Sequence, residues 1–244
     1  MSDNGWDRSA RAWLDEQGEH GDWARRHVLD RVMMERVRAA NPKTALDVGC
    51  GEGRFCRMLI AEGIEASGVE PTRALREAAI ARGPAGIYYD GVAENLAFQD
   101  NLFDLVISYL TLIDIDEYED AIREMARVAV PGGRILVANL ASFNTANQLQ
   151  GWTDTDKGRL FPIDRYLDAR LEDVSWRDMA IRNWHRPLRD YMSAFIDAGL
   201  RLSYFDEPAP DGYPPQDEAK ADRYRRVPYF VVMEWIKEGE TNVP

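Results

Sequence analysis

Three glycines stand at alternate positions in Asp47-Val48-Gly49-Cys50-Gly51-Glu52-Gly53, and Glu70 follows 23 residues after Asp47. Glycines so spaced let the backbone turn sharply and let a ligand sit where Cβ atoms would collide with it. Glu70 ends the next apolar run, the place from which a carboxylate accepts two hydrogen bonds from a ribose diol. Turn and distant acid together point to an adenosine-bearing cofactor; the bland alternative is a tight turn with no ligand. A dinucleotide is disfavoured, because Arg54 occupies the position where the G-x-G-x-x-G fingerprint needs its last glycine and would obstruct the close helix approach. Asp47 also places a carboxylate near the turn, unfavourable for a diphosphate and suitable for an ammonium. Cys50, Phe55 and Pro71 lie in or beside these two turns and complete the cofactor-side set.

Proton transfer needs a different group. His185 lies just before Pro187, a typical first-turn proline, and so near a helix N-terminus whose field disfavours the imidazolium. A neutral imidazole is what a general base requires. The competing reading is that His185 and Arg186 hold a cover onto the sheet without proton chemistry. Asp114 and Asp116 follow the fourth strand, where a carboxylate could bind an ammonium-bearing acceptor or cap a helix; Asp116 with Glu119 has the capping-box form. Candidates for acceptor contacts are Asp114, Asn144, Arg159, Tyr166 and Trp184, with Trp23 and Tyr109 nearer the cofactor. Aromatic residues at this density can grip a planar ligand, but they are also ordinary filler. Trp13 and Trp23 could close as a lid. His20, His27 and His185 are scattered and no Cys/His/Asp spacing resembles a zinc or iron site, so no metal is expected.

The elements that must position these groups alternate. Apolar runs at 44–48, 66–70, 86–89, 103–110 and 134–140 read as strands, separated by helical patterns at 54–62, 72–82 and 116–129, the last closed by Pro131-Gly132-Gly133. That rhythm means a parallel βαβ sheet with right-handed crossovers. Residues 7–39 read as helix with a break around Gly18 to Gly21. From 141 to 185 the pattern loses its glycine punctuation and becomes rich in polar and aromatic residues, among them Asn144, Asn147, Gln148, Trp152 and Trp176. A helix from Pro187 to Gly199, a strand from 200 to 205, a loop from Glu207 to Arg226 and a strand from 229 to 236 follow. That last pair could form an antiparallel hairpin on a sheet edge.

The chain of 244 residues is 45% hydrophobic, enough for one α/β core with a modest cap, and its formal charge is -12. Such an average surface repels a phosphate backbone, which argues against nucleic-acid or anionic-membrane partners. Two cysteines make no disulfide framework, the start is polar, and no run approaches the roughly 18 apolar residues of a membrane span. A cytoplasmic protein, monomer or homodimer, is expected.

Residues 45–55, Glu70, the stretch Ala93-Glu94-x-Leu96-x-Phe98-x-Asp100-x-x-Phe103-Asp104 and Pro131-Gly132-Gly133 resemble the class I S-adenosylmethionine-dependent methyltransferases, in particular their small-molecule branch. The likeness is strong over about 40–140 and weaker at His185-Arg186-Pro187-Leu188, Asp197-Ala198-Gly199-Leu200 and Glu207-Pro208. It implies a Rossmann-like, seven-stranded, mostly parallel sheet of order 3-2-1-4-5-7-6, strand 7 antiparallel, with helices on both faces and a small cover. It also implies that S-adenosylmethionine sets its methionine part at the glycine turn with its amino group near Asp47. The ribose then lies on Glu70 and the adenine by Ala93 and Glu94. Val92 departs from the acidic residue that many members use for the adenine amine. The expected organisation is an N-terminal helical lid (1–40), the cofactor-binding half of the sheet domain (41–140), a substrate cover (141–185) and the closing helix and strands (186–244). The expected activity is methyl transfer to an oxygen or nitrogen of a small organic molecule, giving S-adenosylhomocysteine. The alternatives are a peptide or protein methyltransferase and a non-catalytic scaffold that binds the cofactor or its product.

Overall fold

In the computed structural model, which describes residues 4–147 and 151–239, the glycine turn sits at the middle of a seven-stranded sheet. Gln148 of the cover segment lies outside the described residues. The chain begins with α1 (Trp6–Gln17), then a π-helical turn (Arg25–Leu29) running into α2 (Asp30–Ala40). Between them Gly18 and Gly21 take positive φ, 56° and 83°, which is the break that the two glycines announce. The alternating half follows as β1 (Thr44–Val48), α3 (Arg54–Ala61), β2 (Glu65–Val69), α4 (Arg73–Arg82), β3 (Ile87–Tyr89), β4 (Phe103–Tyr109), α5 (Tyr118–Val128) and β5 (Ala129–Leu140).

The segment after β5 holds α6 (Ser142–Thr145), the hairpin β6 (Thr153–Thr155) with β7 (Gly158–Leu160), and the longer hairpin β8 (Arg170–Trp176) with β9 (Met179–His185). Then come α7 (Leu188–Asp197), β10 (Leu200–Asp206), α8 (Glu218–Arg226) and β11 (Phe230–Lys237). The main sheet runs β10-β11-β5-β4-β1-β2-β3, with β11 antiparallel to both neighbours and the other pairings parallel. This is the order 3-2-1-4-5-7-6 with strand 7 antiparallel. β1 lies between β2 and β4, with Asp47 opposite Gly68 on one side and Ile107 on the other. Its carboxyl end, and the glycine turn with it, is thereby held on both sides.

Two apolar layers sandwich the sheet. Leu46, Val106, Ile135 and Val137 pack with Ile122 and Met125 of α5 and Phe195 of α7, while Leu105, Ile107 and Leu136 pack with Met33 and Val37 of α2 and Leu59 of α3. Alternate residues of one strand therefore serve opposite layers, as a sheet covered on both faces requires.

Three local expectations need correction. α5 begins at Tyr118 with Glu117 at its cap and no side-chain capping bond; Asp116 instead accepts a hydrogen bond from the Trp184 indole at 2.7 Å, so the capping box does not form. β5 starts at Ala129, before Pro131-Gly132-Gly133, and its pairing with β4 shifts register between Phe103 and Leu105 to absorb that triplet. The segment Glu207 to Arg226 is not all loop, for its second half forms α8, amphipathic about the single buried Ala221.

Candidate functional site

The turn after β1 is closed by backbone bonds from Gly49 N and Cys50 N to the Val69 carbonyl, at 2.8 and 3.0 Å. Gly49, Gly51 and Gly53 all have positive φ, but a side chain at each would meet different things. A Cβ on Gly49 would lie 2.2 Å from Thr111 Cγ2 and one on Gly53 would strike the Tyr88 ring, so those two glycines serve packing. A Cβ on Gly51 would meet nothing within 4 Å and would enter a cavity of about 990 Å³. Gly51 thus leaves the cavity wall open at the turn.

Two carboxyls flank this turn. Glu70 accepts from Gly51 N through Oε2 (2.9 Å) and from Thr72 N through Oε1 (2.8 Å), which ties the end of β2 to the glycine turn and aims the group at the cavity. Its burial pushes its pKa up, opposed by those backbone donors. Asp47 is 1% exposed, and its Oδ2 receives only a long 3.8 Å contact from the Cys56 thiol, while Oδ1 has no hydrogen-bond partner among the described residues. Burial, with Glu70 and Glu52 adding repulsion, pushes Asp47 up to about 7. A buried orphan carboxylate oxygen at a cavity wall is costly unless a donor meets it.

Phe55 on α3 and Tyr109 on β4 meet edge to face at 5.0 Å across the cavity wall, and the Tyr109 hydroxyl donates to Asp30 Oδ1 at 3.0 Å. Arg54 also pairs with Asp30, passing close over Gly21, where a side chain would collide with the guanidinium. The arginine that replaces the third fingerprint glycine therefore fastens α3 to α2. Pro71, Val92, Ala93 and Glu94 line the cavity beyond Glu70, and Cys50 lines it at the turn, its thiol driven up by the neighbouring Cys56 and by burial.

Past β4 the chain takes a strained step, with Leu110 at φ 61°, a left-handed conformation that costs a non-glycine residue of order 1 kcal/mol or more. This sends Thr111 back to Gly49, whose carbonyl accepts from Thr111 Oγ1 at 3.3 Å, and starts the 3-10 turn Leu112–Asp114. Asp114 faces the cavity, is held by Asn183 Nδ2 at 2.5 Å, and is pushed by burial up to about 8. Buried Arg186 donates to the carbonyls of Leu112, Ile115 and Asp116 and stacks on Tyr118 and Trp184, so it locks the turn that carries Asp114.

Asn144 and Trp23 also reach the cavity; the Trp23 indole donates to Asp217 at 2.9 Å, which anchors it against the segment before α8. Trp13 lines the same wall. Four other candidates lie elsewhere. His185 is fully buried, with Nδ1 2.7 Å from Thr145 Oγ1 and Nε2 2.9 Å from the Tyr166 carbonyl, and it does not line the cavity. Both ring nitrogens are engaged by the cover, so the base expectation gives way to the structural reading. Tyr166 lies across His185 and Phe143 and its hydroxyl accepts from Leu188 N. Trp184 is spent on Asp116 and Arg186. Arg159 sits on the exposed β6–β7 hairpin, 3.5 Å from Asp154. None of these three lines the cavity; on β9, where neighbouring residues face opposite ways, it is Asn183, not Trp184, that points inward.

Trp6, Arg25, Thr111, Trp176, Asn183 and Lys220 line the cavity without having been singled out. Strand alternation could have flagged Asn183 next to Trp184; nothing local marks the others. Among the described residues no cluster of three or more His, Cys, Asp or Glu is arranged to hold a metal, and no helix is long and apolar enough to cross a membrane.

The donor set suits an adenosyl amino acid: an orphan buried carboxylate oxygen for an ammonium, a cleared backbone at Gly51, and a carboxylate at the end of β2 for a diol. Comparison with known proteins agrees. Residues 46–137 match the family model for a methyltransferase domain. Norajmaline N-methyltransferase of Rauvolfia serpentina is 32% identical over 52% of this chain and 49% of its own length. Malonyl-acyl-carrier-protein O-methyltransferase of Erwinia pyrifoliae is 29% identical over 61% of this chain and 56% of its own. The chain thus spans about half the length of these curated relatives. An S-adenosylmethionine-dependent methyltransferase from Mesorhizobium loti has the same fold, with a TM-score of 0.73 and 24% identity over 83% of this chain and 96% of its own.

Proposed function

We propose that this chain, whose residues 46–137 match a methyltransferase domain, is a class I S-adenosylmethionine-dependent methyltransferase that transfers a methyl group from S-adenosylmethionine to an oxygen or nitrogen of a small organic molecule. Asp47 would hold the amino group, Glu70 the ribose hydroxyls, and Ala93 and Glu94 would border the adenine. When bound, the cofactor supplies an electrophilic methyl on a sulfonium whose positive charge is consumed in the transfer. The protein's task is then alignment and exclusion of water.

The observation that carries the small-molecule reading is the roof over the site. α1 and the β8–β9 hairpin are stitched together by Ser9 Oγ to the Ala180 carbonyl (3.0 Å) and by the Trp176 indole to Glu16 (3.0 Å). Both elements line one continuous cavity with the glycine turn. An acceptor must fit beneath that roof, which favours a small molecule over a folded protein surface. The relatives named above act at nitrogen in one case and oxygen in the other, and both remain within the proposal. The acidic surface and the two unpaired cysteines support a cytoplasmic setting.

The test is methyl transfer from S-adenosylmethionine carrying an isotopic methyl, offered to amines and hydroxy compounds in parallel with peptides and whole proteins. Label in small molecules supports the reading. Label confined to peptides or proteins, or no binding of S-adenosylhomocysteine, overturns it.

A further inference from the structure

The chemical class of the acceptor can be read from the cavity wall beyond the glycine turn, given the methyl-transfer reading above. Among the described residues the cavity is lined by nine carboxylate side chains and three cationic ones. Two of those cations are already neutralised, Arg25 by Asp22 and Arg54 by Asp30, and the third, Lys220, lies 4.4 Å over the Trp23 ring. Three of the nine carboxylates are compensated as well, Asp22 by Arg25, Glu52 by Arg57 and Arg82, and Glu16 by Arg177; the other six set against Lys220 leave acidic groups in excess, which disfavours an anionic acceptor.

Part of the remaining wall is aromatic. Trp13 and Trp176 come from α1 and β8, Trp152 and Phe161 from the small hairpin region, and Tyr224 and Tyr229 from α8 and the approach to β11. Aromatic faces attract a cation as well as an apolar body. Within this wall Asp114 is fixed in place, held by Asn183 on a turn that Arg186 locks. A carboxylate offers about four acceptor positions, so the Asn183 donor leaves room for more.

We infer that the acceptor is an amine on an aromatic or otherwise apolar body, arriving as its ammonium ion, and that Asp114 binds that ammonium and takes the proton it must lose. In that step an N–H bond breaks and an O–H bond forms on the carboxylate. The carboxylate and ammonium, of charge -1 and +1, become a neutral carboxylic acid and a neutral amine whose lone pair is free. Glu70 and Arg25 are the charged groups that act on Asp114 from neighbouring elements, the first raising and the second lowering its proton affinity. Burial outweighs both, which brings the acid within reach of an amine's own affinity for the proton.

The experiment is calorimetric titration of the protein, saturated with S-adenosylhomocysteine, with three probes of one shape and different charge: tryptamine, its neutral counterpart tryptophol, and indole-3-propionate. Tryptamine should bind about 10- to 100-fold more tightly than tryptophol, as a charge-assisted hydrogen bond in a desolvated site implies, and the propionate should not bind. The same series on Asp114→Asn should show the preference for tryptamine largely lost. Equal affinity for amine and alcohol, preference for the acid, or binding of none of the three overturns the inference. The preference surviving unchanged in Asp114→Asn overturns the role of Asp114. Failure of S-adenosylhomocysteine itself to bind would strike the methyl-transfer reading instead. If Asp114→Asn does not fold, the wild-type series still decides the acceptor class.

Discussion

The glycine-turn side and the Asp114 side of this cavity are built in opposite ways. Asp47, Gly51 and Glu70 sit at or just after consecutive strand ends within 24 residues of chain, and Gly51 N donates to the Glu70 carboxylate. Asp114, Trp6, Asn183 and Trp176 come together across far longer separations, through bonds such as Asn183 to Asp114 and Trp176 to Glu16. The first arrangement follows from sheet topology, whereas the second depends on how α1 and the β8–β9 hairpin meet. Ligand chemistry shared by a family can live on the former, and an individual acceptor preference can be rewritten in the latter without disturbing the sheet.

If the two sides are separable in this sense, breaking one should spare the other. Arg186→Ala should have the largest effect, because it leaves the carbonyls of Leu112, Ile115 and Asp116 without their donor in a buried setting. A loss of about 3 to 5 kcal/mol is expected, read as a drop in Tm of roughly 6 to 20 °C. Below the new Tm the affinity for S-adenosylhomocysteine should stay near wild type. A cofactor site that fails together with the loop would show the two sides to be one cooperative unit.

Glu70→Ala is the converse. Removal of a carboxylate that holds Gly51 and Thr72 and faces the cavity should weaken S-adenosylhomocysteine binding about 10- to 100-fold by calorimetry. Unchanged affinity in the folded variant would remove the ribose assignment.

A smaller effect should appear with pH. Asp47 is pushed up to about 7 by burial, and only its ionised form can pair with an ammonium. Cofactor affinity should therefore fall as pH drops from 8 to 6, by up to about tenfold per unit below 7, and Asp47→Asn should bind weakly with that dependence gone. In stability the sign reverses: a carboxyl raised in the folded state costs the ligand-free protein stability as pH rises from about 4 toward 7.

The smallest effect concerns His185, whose pKa burial lowers. The folded state binds that proton less readily than the unfolded chain does, so its contribution is intact above about 6.5 and is lost as pH falls below it. Thermal melts of His185→Asn should lack that part of the acid sensitivity while methyl-transfer rates, with the true acceptor, keep their pH profile. Loss of an ascending limb in the rate would restore the base role.

His185 also shows where local reading stops. Its place before Pro187 argues for a neutral imidazole, and the imidazole is indeed held against protonation, but by the cover and away from the cavity. Sequence pattern carried the environment of the residue and not its address. Trp184 and Asn183 make the same point, since neighbours on one strand must face opposite ways and nothing in the string says which way is in.

From sequence alone came the strand rhythm, the glycine turn with Asp47, the acid at Glu70 and the antiparallel closing pair, because each is a matter of short-range spacing, turn geometry or apolar periodicity. Tertiary structure alone decided that Gly51 faces open space while Gly49 packs on Thr111, that Asp114 faces the cavity while Arg159, Tyr166, Trp184 and His185 do not, and that α8 and Trp6 line it. Those facts rest on contacts between segments far apart in the chain, where the choice among many compact packings is made by burial and hydrogen-bond satisfaction summed over the whole molecule rather than by any local preference.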